Sequence, residues 1–261
     1  MTTVLIDYHI HTVFSDGTKD LSDYVDEAVK RKIDEVGFSD HVNFKKVDWS
    51  MNLTDLPNYV NKITQLKRTS KISIKMGLEV DFVPFKMNKL MRMINKFDFD
   101  YLVGSVHFIG EWGFDDEKQM YKWKRKNVDE VYQQYFELVQ NMAKSGLFDI
   151  VGHLDLVKKF DFRPKKDISG LLLETVEIIS GSKMCVEVNT SGLRKPCREI
   201  YPSEKLIKMC FDKGLPITLG SDAHSPEEVG ADFDKAVDLL KKIGYVEIVR
   251  FTKRNRESVE L

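Results

Sequence analysis

Residues 4–41, VLIDYHIHTVFSDGTKDLSDYVDEAVKRKIDEVGFSDH, hold one strand–helix–strand passage, and its recurrence along the chain decides the fold class. Residues 4–9 form a short apolar run of strand length. In 21–32 the apolar residues Leu21, Val25, Ala28 and Val29 share one helical face, while Asp23, Asp26, Glu27 and Lys30 lie off it. Residues 35–39 return to strand character. Two strands joined through a helix pair in parallel.

The alternation continues outward from this passage. Further strands are expected at 72–80, 101–108, 149–152, 185–189 and 217–220, with a weaker one at 246–251. Helical periodicity marks 58–67, 87–97, 128–145, 171–180, 204–213 and 233–243. Pro57 suits a first helical turn, and Gly146, Gly214 and Gly244 each follow a helix end. The expected architecture is α/β, a parallel sheet with helices outside, either closed into a barrel or open and doubly wound. With no fixed-period repeat and no Pro/Ser/Gly-rich linker, residues 1–261 are expected to form one domain.

Composition narrows the class. Forty Lys+Arg against 41 Asp+Glu leave a net charge of −1, so no general attraction draws the chain to nucleic acid or anionic lipid. Cys185, Cys197 and Cys210 show no CxxC spacing, which argues against a disulfide framework and a thiolate zinc site. No apolar run reaches the ~18–20 residues a spanning helix needs, and the N-terminus lacks a basic, then apolar, leader pattern. A soluble, cytoplasmic protein is expected.

All six histidines, His9, His11, His41, His107, His153 and His224, fall at or just past the C-terminal end of an expected strand. In parallel α/β folds that edge carries the active site, because its loops converge on one crevice. Glu79, Asp222 and Asp16 share the address, and Glu79 has apolar neighbours on both sides, a costly place for an unpaired charge. Asp7 and Asp81 are further acidic candidates, expected to point differently from His9 and Glu79. Taken singly, a strand-end histidine is more often a hydrogen-bonded residue than a ligand, and an Asp in a GSD turn is usually a cap. Their coincidence argues otherwise. Imidazoles and carboxylates without thiolate suit Zn²⁺, Mn²⁺ or Fe²⁺, and six histidines with three carboxylates exceed one tetrahedral ion. A cluster of two or three divalent ions follows, suited to phosphoester hydrolysis, although amide hydrolysis and deamination use the same water activation.

At this point the residues resemble a known family. HIHT (9–12), SDGT (15–18), SDH (39–41), GLEVDF (77–82), GSVHF (104–108), GHLD (152–155) and GSDAH (220–224) match, in order, the signature blocks of the polymerase and histidinol phosphatase (PHP) superfamily. GSVHFIGEWGFD, GHLDLVKKF and EVNTSGLRKP…EIYPS are similar to its monofunctional histidinol-phosphate phosphatase branch. The resemblance implies a distorted (β/α)7 barrel around a trinuclear centre. It implies His9, His11, Glu79 and Asp222 at a first ion, Glu79 shared with a second held by His107 and His153, and Asp16, His41 and His224 at a third. The implied activity is hydrolysis of L-histidinol phosphate to L-histidinol and phosphate, in histidine biosynthesis, by a hydroxide bridging two ions. Glu79, Asp222 and His224 form the catalytic set, the latter two being candidates to protonate the leaving alkoxide. A broader phosphoesterase acting on nucleotides or nucleic-acid ends, and a catalytically silent metal-binding regulator, are the competing readings.

A phosphomonoester also needs cations, and a guanidinium clamps phosphate bidentately. Arg194, just after the sixth strand, and Arg163, in the long 154–169 loop, are the candidates; each alternatively is a solvated surface residue. Ser105, two before His107, would face the same side and donate to phosphate. In the 109–127 loop Trp112, Phe114 and Tyr121 would stack on an imidazole ring, and Glu111, Asp115 or Asp116 would pair with an ammonium group. The alternative is that these aromatics simply pack the loop onto the barrel. The run Lys118, Lys122, Lys124, Arg125, Lys126 reads as a solvated face, a nucleic-acid partner being the minor alternative.

Overall fold

A computed structural model of the chain describes residues 4–45 and 47–261. Among the described residues, strands β1 (Ile6–Ile10), β2 (Glu35–Phe38), β3 (His41–Val42), β4 (Ser73–Met76), β5 (Glu79–Asp81), β6 (Val103–Ser105), β7 (Phe108–Ile109), β8 (Trp112–Gly113), β9 (Ile150–Val151), β10 (Cys185–Asn189), β11 (Ile217–Gly220), β12 (Glu247–Thr252) and β13 (Asn255–Glu260) are interspersed with seven α-helices. These are α1 (Leu21–Lys30), α2 (Leu56–Thr69), α3 (Met87–Ile94), α4 (Val128–Lys144), α5 (Ser169–Ser180), α6 (Glu204–Asp212) and α7 (Phe233–Ile243).

Two parallel sheets, β1-β2-β4 and β11-β10-β9-β6-β5-β3, form one ring. The chain passes directly from β2 to β3 and from β4 to β5, so each pair is one strand broken by a kink that moves it from one sheet to the other. Counted this way, seven parallel strands each precede a helix. The circuit closes through a parallel bridge between Ile10 and Ala223, where the His11 amide donates to Ala223 O (2.9 Å) and the Ala223 amide to His9 O (3.0 Å). The kink after β4 coincides with a packing constraint. A Cβ at Gly37 or Gly77 would run into the ring of Tyr101, which crosses the barrel at their level and donates its hydroxyl to Tyr8 O at 2.8 Å. The expected 72–80 strand is interrupted at Gly77–Leu78.

The end of the barrel away from the histidines is sealed by aromatics. Tyr8 stacks on Tyr101 with ring centroids 4.7 Å apart, and Phe251 of β12 packs against both. The Phe251 amide donates to the Tyr8 hydroxyl (3.0 Å), which pins the β12–β13 hairpin across this end. The weak strand expected at 246–251 thus forms, but outside the ring and antiparallel. Its partner, NRESVE, is mostly exposed and carries no apolar alternation. The expected 101–108 strand is also shorter, because the chain leaves the sheet after Ser105 to build the small β7–β8 hairpin. Among the described residues, no helix is long and apolar enough to cross a membrane.

Candidate metal centre

Buried strand ends bring the histidines together. His9 and His11 lie two residues apart on one face of the chain leaving β1, and register pairs His41 directly with Glu79. Glu79, 1% exposed, is surrounded by imidazoles. Its Oε1 lies 2.9 Å from His153 Nε2 and 3.5 Å from His107 Nε2. Its Oε2 lies 2.7 Å from His41 Nδ1, 3.2 Å from His9 Nε2 and 3.5 Å from His11 Nε2. Asp222 Oδ1 closes the other side, 3.3 Å from His11 Nε2 and 3.7 Å from His9 Nε2. Asp16 lies 3.4 Å from His224 Nε2 and 3.7 Å from His41 Nε2. His153 and Asp222 both sit at positive φ, 22° and 55°, a region that non-glycine residues enter rarely.

A chemical test favours metal here. His9 Nε2, His11 Nε2 and Glu79 Oε2 are buried, converge on one another and make no hydrogen bond. Leaving such atoms unpaired costs about 1–3 kcal/mol each, a cost that coordination removes. Four donor sets have ligand atoms within 4.8 Å of one another: His9–His11–Glu79, His9–His153–Asp222, His41–Glu79–His107 and His11–Asp16–His41–His224. His11 therefore also reaches the outer group, and His41 faces two groups.

The charges settle accordingly. Burial would raise the Glu79 carboxyl, but His41, His9 and His107 hold it well below the usual range. Burial likewise opposes ionisation of Asp222, and His9 and His11 overcome it. Burial with the neighbouring His41 and His224 pushes His11 down to about 3. For His107 burial is outweighed by Asp81 and Glu79, which lift it to about 10. For His224 burial is outweighed by Asp16 and Asp222, which lift it to about 9.

Beside the histidines a cavity of about 800 Å³ opens, lined also by Trp49, Phe108, Asp115, Lys159 and Arg194. Arg194 stands where the sequence suggested, on the cavity wall, donating to Ser221 O (2.7 Å) and paired with Glu228 (3.3 Å). Arg163 does not line it. Its guanidinium is spent on Asp161 and Glu199, so the solvated alternative describes it. Ser105 is buried away from the cavity, beside Gly152, with its hydroxyl unpartnered. Trp112 packs edge-on against Trp123, Phe114 lies against Tyr135, and Tyr121 is exposed; none of the three lines the cavity, so these aromatics do not form its wall. Asp115 and Asp116 line it, whereas Glu111 points outward to Lys45.

Several residues escaped the sequence reading. Trp49 stands edge-on to His41 (centroids 4.7 Å apart) and to His107 (5.6 Å), and lies parallel to Phe108. Its loop carries no periodic signal. Lys159 pairs with Asp115 at 3.3 Å on the cavity wall. Glu187, which meets His9 Nδ1 at 2.5 Å, carried the same flag as Glu79, a strand carboxylate between apolar neighbours. Asp81 does not point away from Glu79. Two residues apart on one strand, they share a face, and Asp81 meets His107 Nδ1 at 3.0 Å. Asp7 turns to the Ser221 and Gly230 amides, each at 2.9 Å.

The PHP domain model matches residues 7–191 of the chain. The chain belongs to the PHP family. A probable histidinol-phosphatase of Deinococcus radiodurans is 34% identical to it over 248 residues, covering 93% of this chain and 95% of the relative. The histidinol-phosphatase of Bacillus subtilis is 28% identical over 258 residues, covering 87% and 96%. Among solved structures, the histidinol phosphate phosphatase of Lactococcus lactis, complexed with zinc, L-histidinol and phosphate, superposes with a TM-score of 0.84 at 27% identity, covering 98% of this PHP chain and all of that one. The PHP-type α/β barrel expected from the sequence is the fold observed.

Proposed function

We propose that the chain is a metal-dependent phosphomonoesterase that hydrolyses L-histidinol phosphate to L-histidinol and phosphate, working as one domain over residues 1–261. The observation that carries this reading is one buried carboxylate, Glu79, within 3.5 Å of five imidazoles, three of its neighbouring donor atoms lacking any hydrogen bond. The Lactococcus lactis relative, similar over nearly the whole chain, holds zinc with L-histidinol and phosphate. His9, His11, Glu79 and Asp222 would hold one ion, Glu79, His107 and His153 a second, and Asp16, His41 and His224 a third. Such ions lower the pKa of water and neutralise phosphoryl charge.

The chain's own side chains would do the rest. Arg194 and Lys159, on the cavity wall, supply the positive charge that a phosphomonoester dianion requires. Trp49 and Phe108 offer the apolar faces for an imidazole ring, the task the sequence assigned to the 109–127 aromatics. Asp222 and His224 line the same cavity, which supports them as the candidates to protonate the leaving oxygen. The three cysteines, all buried as free thiols, suit a reducing cytoplasm.

The test is phosphate release by zinc-loaded protein from L-histidinol phosphate, beside a nucleoside monophosphate and an aryl phosphate. A preference of about a hundredfold or more in kcat/KM is expected, beyond what one apolar contact provides. Equal rates on all three would favour the broad phosphoesterase, and zinc binding without turnover the silent regulator.

A further inference from the structure

The histidines around Glu79 differ in what stands behind them. His9 Nδ1 meets Glu187 Oε1 at 2.5 Å, and His107 Nδ1 meets Asp81 Oδ1 at 3.0 Å. An ionised carboxylate only accepts, so in both rings Nδ1 carries a hydrogen, and Nε2 is the nitrogen whose lone pair is freed toward Glu79 when the ring is neutral, as ligation requires. Both carboxylates are buried and themselves held. Glu187 Oε2 accepts from the His153 amide (2.8 Å) and from Asn189 Nδ2 (3.1 Å), and Asp81 Oδ2 accepts from Asn43 Nδ2 (2.5 Å).

The outer group, His11–Asp16–His41–His224, lacks this support. His224 Nδ1 donates only to a backbone carbonyl, Asp222 O at 3.0 Å, while an unpartnered Nδ1 is common to His11 and to His153 beside Glu79. His41 turns Nδ1 toward Glu79, itself a candidate ligand, without hydrogen-bond geometry. The side chains of Asp16 and His224 are 31% and 36% exposed, against 0% for His9 and 7% for His107.

We infer that Glu187 and Asp81 are positioning residues that fix the tautomers of His9 and His107, making the sites around Glu79 the tight ones and the outer group the site of the exchangeable ion. Partners behind ligating histidines typically contribute 10–100-fold in metal affinity. The inference rests on the metal-binding part of the proposed function and not on the substrate.

The experiment loads the full chain with zinc and titrates it with a chromophoric chelator, counting zinc retained per chain. In parallel, ¹⁵N imidazole shifts report which ring nitrogen carries hydrogen. The wild-type chain should release zinc in two stages, the weaker matched by shifts at His41 and His224. Glu187→Gln should weaken the tight stage by about 10–100-fold and alter the His9 tautomer signature, leaving the weak stage unchanged. Asp81→Asn should do the same at His107, and serves if Glu187→Gln does not fold. Release in a single stage, an absence of zinc binding, or wild-type retention with an unchanged signature in a folded variant would overturn the inference. Two-stage release with the expected variant effects, but no hydrolysis of L-histidinol phosphate, would uphold it and reject the substrate reading alone.

Discussion

Glutamine in place of Glu79 keeps the side chain's shape and removes the charge that five imidazoles share. Glu79→Gln should lower kcat by about 10³-fold or more, as loss of a group acting only with its partners does, with circular dichroism unchanged; retention of a tenth of the activity would exclude a shared-carboxylate centre. Arg194→Ala removes a wall cation and should chiefly raise KM for phosphoesters, and an unchanged KM would return Arg194 to its role of bracing Ser221 and Glu228. Proton linkage gives a sharper residue-scale test. His107 near 10 and His224 near 9 both lie above the ordinary 6.5, so at pH 7 the metal-free chain holds both protonated. Ligation needs neutral imidazole. Zinc binding at pH 7 should therefore release protons, and apparent affinity should climb until pH passes about 9–10. Calorimetry in two buffers of different ionisation enthalpy reads this directly, and identical heats would remove it. For the metal-free fold the sign is opposite: these two groups stabilise it fully below about 6.5, and that contribution is lost as pH rises through 9 to 10.

Between β6 and α4 the chain makes a lobe that a buried tryptophan helps to hold. Trp123, 2% exposed, stacks on Phe162 with centroids 4.9 Å apart and donates Nε1–H to Phe114 O at 2.7 Å. Trp123→Ala should cost about 3–5 kcal/mol. Because Asp115 to Gln119 line the cavity from this lobe, KM should rise more than kcat falls. An unchanged melting temperature would show that the lobe is held elsewhere. This is also where the sequence was least legible. The helices read well because an apolar repeat of 3.6 residues over three turns is a strong signal, and Phe233–Ile243 forms at the expected limits. The histidines read well because strand ends in a parallel sheet share an edge. Trp49 was not legible, since a loop residue's position is set by what the loop packs on. Nor was β13, whose polar NRESVE pairs through its backbone with no buried face to leave a pattern. Arg163 and Arg194 looked alike as loop arginines; only the positions of Glu199 and Asp161 separate them.

The two ends of the barrel are held by opposite means, and the whole molecule's stability follows from that. One end is closed by Tyr8, Tyr101 and Phe251 and by a hairpin that spans the floor. The other gathers six histidines and three carboxylates, several buried with no hydrogen bond, so the strand ends there converge at a cost that folding of the metal-free chain must meet from the floor and the helix packing. An ion that binds the folded state and not the unfolded one stabilises it by about 2.7 kcal/mol at a hundredfold excess over Kd. For a chain of this size each kcal/mol moves Tm by about 2–4 °C, so zinc should raise Tm by about 5–11 °C and a chelator should return it. The rise should be smaller in Glu79→Gln than in the wild type, because that variant lacks the carboxylate through which the donor sets share their ions. It should be nearly intact in Trp123→Ala, which lowers the starting Tm but leaves every donor in place. A zinc-dependent rise of the same size in Glu79→Gln would mean that the stabilising ion binds away from the strand ends, and the barrel's upper edge would then owe its order to packing alone.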